Sequence, residues 1–227
     1  MGGIIFATII GIGLPIAILL YAFWKRRYIP YVLGVLAFVI SQVLIRIPIL
    51  QYLGGNSTTY SMFSAMHPVL FAIVIGLSAG VFEELARFVA IRFFMKQRDW
   101  QSGFLFGAGH GGIEAVLFFG SGAVVLLFFS RDISYGNSYF IGGIERFFAM
   151  LLHIGLSIIV LQGVLQKRFL YVVFAITIHG LVDALVGILP LYVPKDSALL
   201  IVESTVAIIA LAIFNYSLWI KRKGVLR

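Results

Sequence analysis

The sequence contains no cysteine and unusually few charged residues. The absence of cysteine excludes a disulfide framework and any zinc site built from thiolates. Charged side chains make up 11% of the 227 residues, whereas soluble domains carry about 25%. Hydrophobic residues make up 61%, which is far more than a globular core can hide from water. The composition therefore excludes an ordinary soluble domain and favours a protein that folds in lipid.

No internal repeat, low-complexity tract or polar appendage divides the chain, so we predict one integral membrane domain over residues 1–227. Apolar stretches of about 20 residues, the length that crosses a bilayer, occur seven times. Their limits are 3–24, 29–50, 67–95, 102–129, 139–165, 169–190 and 198–220. The predicted fold class is all-α: a polytopic membrane bundle of about seven transmembrane helices.

Two segments are expected to depart from regular spans. Residues 51–66 are polar and rich in glycine, which predicts an external turn. Gly120-Ser121-Gly122 is predicted to break or kink the fourth span, because its apolar run is longer than one crossing needs. No basic residue precedes the first span, so we expect a retained helix rather than a signal peptide.

Basic residues near the span ends lie mostly at alternate ends of successive spans. Twelve of them close or follow the first, third, fifth and seventh spans, and only Arg131 and Lys195 lie at the opposite ends. The positive-inside rule then predicts an external N-terminus and a cytoplasmic C-terminus. The net charge of +8 thus reflects topology, and no nucleic-acid partner is expected. Short loops and the lack of an organelle-targeting segment predict a bacterial cytoplasmic membrane as the location.

Ionisable residues also occur inside the predicted spans, where each costs on the order of 3 kcal/mol. Such residues must pair with one another, bind an ion or take part in chemistry. The set consists of Arg46, Glu83, Glu84, Arg87, His110, Glu114, Glu145, Arg146, His153, His179, Asp183 and Glu203. Arg46 and Glu203 lie toward the external ends of their spans and are predicted to bridge helices or to reach lipid headgroups.

Spacing places most of this set on common helix faces in four consecutive spans. In the third span two adjacent glutamates precede an arginine by four and three positions, so they can pair with it. The fourth and sixth spans each carry a histidine and a carboxylate four residues apart, and the fifth an arginine and a histidine seven apart. These residues are Glu83, Glu84 and Arg87; His110 and Glu114; His179 and Asp183; Arg146 and His153. We expect them to meet in one cavity that water can enter.

Imidazoles and carboxylates without thiolates form a ligand set suited to zinc or a similar divalent ion. A metal lowers the pKa of water, and a neighbouring glutamate can take the proton of that water and return it to a leaving amine. Asp183, one turn from His179, is predicted to fix the tautomer of that imidazole. Two other interpretations stay open: a proton-coupled or ion-coupled transporter, and a non-catalytic membrane scaffold in which the buried charges only pair.

The same residues resemble the motifs of the YhfC family of intramembrane metalloproteases, and more distantly those of the PrsW proteases and the CAAX prenyl endopeptidases. The motifs are Glu83-Glu84-Leu85-Ala86-Arg87, His110-Gly111-Gly112-Ile113-Glu114, Glu145-Arg146 with His153, and His179-Gly180-Leu181-Val182-Asp183. The resemblance covers residues 67–190, which we take as the expected catalytic core. The arginine stands one position closer to the glutamates than in the CAAX enzymes.

The resemblance implies a membrane-embedded peptidase that uses zinc or another divalent metal and acts on a peptide or membrane-protein substrate. It implies that Glu83 activates the metal-bound water and that Glu84 is its catalytic partner toward Arg87. The implied metal ligands are Glu114, His153 and His179, with His110 either a further ligand or a support for one. The residues implied to orient ligands or substrate are Asp183, Arg87, Glu145 and Arg146.

Overall fold

The structure is a computed structural model that describes residues 1–129 and 134–226, and within those ranges every regular element is a helix. In this described part of the chain, seven helices are long and apolar enough to cross a membrane, which confirms the predicted fold class and number of spans. The spans, called first to seventh below, are Gly2–Trp24, Tyr28–Asn56, Pro68–Phe94, Trp100–Phe129, Gly136–Gln166, Leu170–Leu191 and Asp196–Arg222.

The fifth span is the central helix of the bundle. Of its most apolar stretch 78% is buried inside the protein, against 22–33% for the other spans. It packs against the first, third, fourth, sixth and seventh spans. The sixth span packs chiefly on the third, and the second on the fourth. The four spans that carry the predicted polar stripes are therefore neighbours around one axis.

Glycines let these helices approach closely, as is common where lipid offers no hydrophobic drive for association. A Cβ atom at Gly107 of the fourth span would lie 2.4 Å from the Ile154 Cα of the fifth. A Cβ atom at Gly180 of the sixth span would lie 2.8 Å from the Leu77 Cα of the third. A side chain at either position would therefore push apart the backbones that carry the polar residues.

The predicted external turn at 51–66 is wrong in its conformation. The second span continues as helix to Asn56, and a short helix, Thr58–Met66, follows after a break at one residue. Ser57 supplies that break, since its backbone is extended and its hydroxyl accepts a hydrogen bond of 3.2 Å from the Tyr60 N–H. The short helix packs on the third span through Tyr60 and Phe71, whose ring centroids are 5.3 Å apart.

Of the break or kink predicted at Gly120-Ser121-Gly122, the break is absent, and the helix instead changes its winding where this segment begins. The fourth span widens into a π-helical turn over Val116–Gly120 and then continues as α-helix over Ser121–Phe129. Gly120 allows this turn to lie against Gly11 of the first span, where an added Cβ would come within 2.8 Å of backbone.

At the end of the bundle that carries the basic clusters, Asp99 ties two spans together. Its carboxylate caps the fourth span by accepting a hydrogen bond of 2.8 Å from the Ser102 N–H, and it accepts one of 2.5 Å from Arg27. The orientation of this end toward the cytoplasm stays a prediction. Of the two basic residues predicted at the opposite end, Arg131 lies outside the described residues, and the Lys195 side chain also lies outside them.

Candidate metal centre

The third span brings two glutamates and one arginine onto its buried face. Glu84 and Arg87 are completely buried, and their charged groups are 3.2 Å apart, as the i,i+3 spacing predicts. Glu83 is 5% exposed. Because breaking a buried ion pair leaves an uncompensated charge, the Glu84–Arg87 pair fixes this part of the helix rigidly.

Glu84 also reaches the sixth span, where its Oε1 lies 2.8 Å from the His179 Nδ1. A carboxylate only accepts, so Nδ1 carries the proton and Nε2 is left with a free lone pair. Asp183 was predicted to make this contact, but its Oδ2 lies 3.7 Å from Nε2, on the other side of the ring. The correction has a simple cause: Glu84 approaches from the packed interior, while Asp183 is 39% exposed toward a cavity.

His153 of the fifth span is held on both of its ring nitrogens. The Nη2 of Arg87 lies 3.0 Å from Nδ1, and since a guanidinium only donates, Nδ1 is the acceptor. Nε2 then carries the proton, 2.6 Å from the Oε2 of Glu114. A neutral imidazole that binds a metal through Nε2 carries its proton on Nδ1. A role as metal ligand therefore requires the His153 proton to move from Nε2 to Nδ1 and the Arg87 guanidinium to release Nδ1.

Glu114 links His153 to the second charged motif of the fifth span. Its other oxygen, Oε1, accepts a hydrogen bond of 2.8 Å from Arg146. Arg146 also pairs with its neighbour Glu145. The three side chains are 17–28% exposed, so this group lies at the edge of the buried network and not inside it.

His110, predicted as a possible ligand, contacts Glu83 instead of standing free. Its Nε2 lies 2.9 Å from the Glu83 Oε2, while Nδ1 is buried without a hydrogen-bond partner. The rings of Phe38 and Phe106 lie beside the imidazole, with centroids 5.3 and 6.4 Å away. A bare acceptor is cheaper to enclose among phenyl rings than an N–H group, so we assign the proton to Nε2. His110 therefore supports Glu83.

Sequence reasoning missed Gln42 of the second span. This buried amide donates a hydrogen bond of 2.5 Å to the Glu83 Oε1. Arg46, one turn further on, contacts Gln42 together with Ser78 and the Ile75 carbonyl of the third span, so it bridges two helices. An uncharged glutamine in an apolar run has no spacing signal of its own. Only its position one turn before Arg46 pointed to it.

Within residues 1–129 and 134–226, one group of three side chains brings ligand atoms close enough for a single metal ion. Glu83, His153 and His179 each offer an atom within 4.8 Å of the others, and all three are buried. Ligand atoms around a tetrahedral zinc ion lie ~3.4 Å apart, which small side-chain rotations would reach. Two imidazoles and one carboxylate form a common donor set for catalytic zinc. The residues present therefore fit such an ion.

A cavity of about 860 Å³ extends from this group between the fifth, sixth and seventh spans. Its inner wall carries Glu83, Glu114, His153 and His179. Farther out it passes Asp183 and reaches Asp196 at the start of the seventh span. The remaining wall is mixed: valine, leucine, alanine and proline side chains lie beside those of Ser138, Glu145, Arg146 and Glu203. Glu203, predicted to bridge helices or reach headgroups, thus lies on the cavity wall. The four side chains expected to converge thus do so, and they border a common space.

Comparison with known proteins gives the family. The profile of the YhfC intramembrane metalloproteases matches residues 12–138 and 137–213 of this chain. The chain belongs to the YhfC family. An uncharacterized membrane protein YhfC of Bacillus subtilis (strain 168) is 31% identical over 204 aligned residues, covering 74% of this chain and 76% of that relative. No solved structure matches the chain. The seven spans and the membership in this family establish a multi-pass membrane protein.

The YhfC match extends well beyond the predicted core of 67–190, into the first, second and seventh spans. This extent agrees with the packing, because the second span contributes Gln42 to the candidate centre and the seventh contributes cavity wall.

Proposed function

We propose that this YhfC protein is an intramembrane peptidase that depends on a divalent metal, with zinc the ion best suited to its donors. The observation that carries the proposal is the buried group of Glu83, His153 and His179, whose ligand atoms lie within 4.8 Å of one another at the wall of a large cavity. The family name supports the same activity.

Glu83, His153 and His179 would hold the metal. Once bound, a divalent ion supplies Lewis acidity for a peptide carbonyl and makes water a nucleophile near neutral pH. This assignment makes Glu83 a metal ligand and leaves Glu114 to activate water. The family motifs imply the reverse, with Glu83 as the water activator and Glu114 as the ligand. The contact between Glu114 and the His153 Nε2 favours the exchange of these two roles.

Glu114 is then the proton carrier. It lines the cavity, Arg146 holds its Oε1, and its Oε2 lies 2.6 Å from the His153 Nε2, next to the position that the metal would take. A carboxylate in this place takes a proton from water and returns it to the leaving amine. Glu145 restrains Arg146 from the other side. Glu84 and Arg87 act behind the imidazoles and fix the ring orientation of His179 and His153.

The substrate we propose is a short peptide segment of a membrane or membrane-proximal protein. The cavity volume of about 860 Å³ falls within the range of sites that enclose small ligands, and this is too small for a complete second helix. The valine, leucine and alanine side chains of its wall favour hydrophobic side chains next to the cleaved bond.

Elemental analysis of the purified protein, combined with a cleavage assay in liposomes, tests this proposal. We expect about one zinc ion per folded chain, and cleavage of co-reconstituted single-span model peptides that a chelator abolishes. His179→Ala should lose both metal and cleavage. Thr177→Ala is the matched control, since its hydroxyl bonds only the Val173 carbonyl of its own span. Folded wild-type protein that neither contains nor binds a stoichiometric divalent ion contradicts the proposal.

A further inference from the structure

The carboxylate of Glu83 receives hydrogen bonds on both oxygens, and one of the donors comes from outside the expected core. His110 contacts Oε2 at 2.9 Å, and Gln42 of the second span contacts Oε1 at 2.5 Å. Both supporting side chains are buried, at 0% and 3% exposure. In that setting neither group can exchange its contact for water, so each hydrogen bond constrains the carboxylate strongly.

The orientation of the Gln42 amide follows from its other neighbour. The Nη1 of Arg46 lies 3.0 Å from the oxygen Oε1 of Gln42. A guanidinium has donors only, so the amide must present its oxygen to Arg46 and its NH₂ group to Glu83. Arg46 itself is anchored on the third span, by the Ser78 hydroxyl at 3.0 Å and the Ile75 carbonyl at 2.7 Å. The amide is therefore not free to flip.

We propose that Gln42, with its amide fixed by Arg46, is a positioning residue that clamps Glu83 and so presents Oε2 to His153 and His179. The hydrogen bonds run in one direction through three side chains. Arg46 can only donate, so it fixes the orientation of the Gln42 amide, and the amide then fixes the orientation of the Glu83 carboxylate. Gln42 and Arg46 are four positions apart, so they share the helix face toward the third span. Both lie in the π-helical turn Val39–Arg46, and such turns are frequent at functional sites.

The clamp has a consequence for metal binding, and this part alone rests on the proposed function. A carboxylate held in advance loses less rotational freedom when it becomes a ligand. Removing a partner that orients a metal ligand lowers metal affinity by about 10- to 100-fold. We expect a loss of this size for Zn²⁺ in Gln42→Leu, measured by competition with a chromophoric chelator.

Infrared difference spectroscopy of the metal-free protein tests the clamp itself, without metal or activity. The carboxylate band of Glu83 is assigned as the band that Glu83→Gln removes. In Gln42→Leu that band should shift, because Oε1 has lost its donor. Ser41→Ala is the matched control: Ser41 is equally buried but bonds only carbonyls of its own span, Ala37 and Phe38. An unchanged Glu83 band in folded Gln42→Leu overturns the proposal.

A double-mutant comparison separates positioning from general damage to the bundle. In the Glu83→Gln background, Gln42→Leu should lower the thermal midpoint of the metal-free protein by less than it does in the wild-type background, since the carboxylate it acts through is gone. An equal fall of the thermal midpoint in the two backgrounds overturns the proposal. If Gln42→Leu does not fold, Arg46→Met provides the same test, as it keeps Gln42 but frees the amide to flip. An unshifted Glu83 band in that variant also counts against the clamp.

Discussion

Glu84 and His179 lie 95 positions apart in the sequence and are joined by a hydrogen bond of 2.8 Å between Oε1 and Nδ1. The same glutamate pairs with Arg87, which in turn contacts His153. One carboxylate and one guanidinium thus orient two imidazoles on two other helices. The two imidazoles of the candidate centre are therefore oriented from behind by an ion pair that no water reaches.

Glu84→Gln should destabilise the protein strongly, because it leaves the buried Arg87 without a full countercharge. Breaking one partner of a buried ion pair costs about 3–5 kcal/mol. The thermal midpoint in detergent, followed by tryptophan fluorescence, should fall well below that of wild type. Asp183→Asn is the control, because this carboxylate is 39% exposed and its loss should change the midpoint little. Adding Arg87→Met to Glu84→Gln should restore part of the stability; a further fall would contradict this explanation.

Glu83→Gln and Glu114→Gln should separate metal binding from catalysis. If Glu83 is a ligand and Glu114 the proton carrier, Glu83→Gln loses bound zinc, while Glu114→Gln keeps it and loses cleavage. General acid–base assistance contributes about 10²- to 10⁴-fold to rate, so a loss in that range is expected for Glu114→Gln. Zinc content and single-turnover cleavage measure the two effects. The opposite pattern would return the two residues to the roles that their motifs imply.

Gly107→Ala should disturb the centre through packing alone. The added methyl group would meet the backbone of the fifth span at Ile154 and the carbonyl of His153, so the helix that carries this imidazole must move. Overpacking of this kind costs about 1–3 kcal/mol, and we expect a lower thermal midpoint together with weaker Zn²⁺ binding. Gly55→Ala is the control, since its Cβ would meet nothing within 4 Å. Equal behaviour of the two variants would argue against close packing at Gly107.

The absence of native cysteine allows water access to the cavity to be measured with single thiols. Val182 lines the cavity, whereas its neighbour Leu181 is 57% exposed on the outside of the bundle, where lipid surrounds it. Val182→Cys should react with a charged, membrane-impermeant thiol reagent, because thiolate forms only where water reaches. Leu181→Cys, at the same depth, should stay unmodified. Protection of both positions would mean that the cavity is dry.

Asp99 should give the protein a stability that depends on pH. Burial raises the pKa of this carboxyl, but hydrogen bonds from Ser102 and Arg27 lower it by more than burial raises it. Its pKa therefore lies below the ordinary value of 3.8. The stabilisation is then complete above that ordinary value and is lost as the pH falls through the lower folded pKa. Asp99→Ala should cost about 1 kcal/mol near neutral pH and less at about pH 3. Thermal midpoints at the two pH values measure this, and a pH-independent difference would contradict it.

The spans could be predicted because hydrophobic length alone determines them. The first predicted span, 3–24, lies within a residue or two of Gly2–Trp24. The stretch after the second span was wrong, because helix end signals in 51–66 depend on how Ser57 caps the next turn and on packing against Phe71. Polar, glycine-containing sequence at a membrane surface is compatible with both a turn and a short helix.

The convergence of the polar stripes could also be predicted, since buried charges in lipid must find partners. Which atom faces which could not be predicted. Asp183 has the right spacing from His179, but a contact across helices from Glu84 takes that place. The part played by Gln42 depends on the rotation of the second span against the third, and periodicity in an apolar run does not define such a rotation.

Arg87 is completely buried. Its guanidinium contacts the Glu84 carboxylate on its own helix and the His153 imidazole across the bundle. An evolving lineage cannot pass through a form that keeps this cation and discards Glu84 without severe loss of folded protein. Glu84 and Arg87 should therefore be kept or lost together in evolution. Relatives that keep one of them should keep the other, and relatives that have lost the activity should lack both.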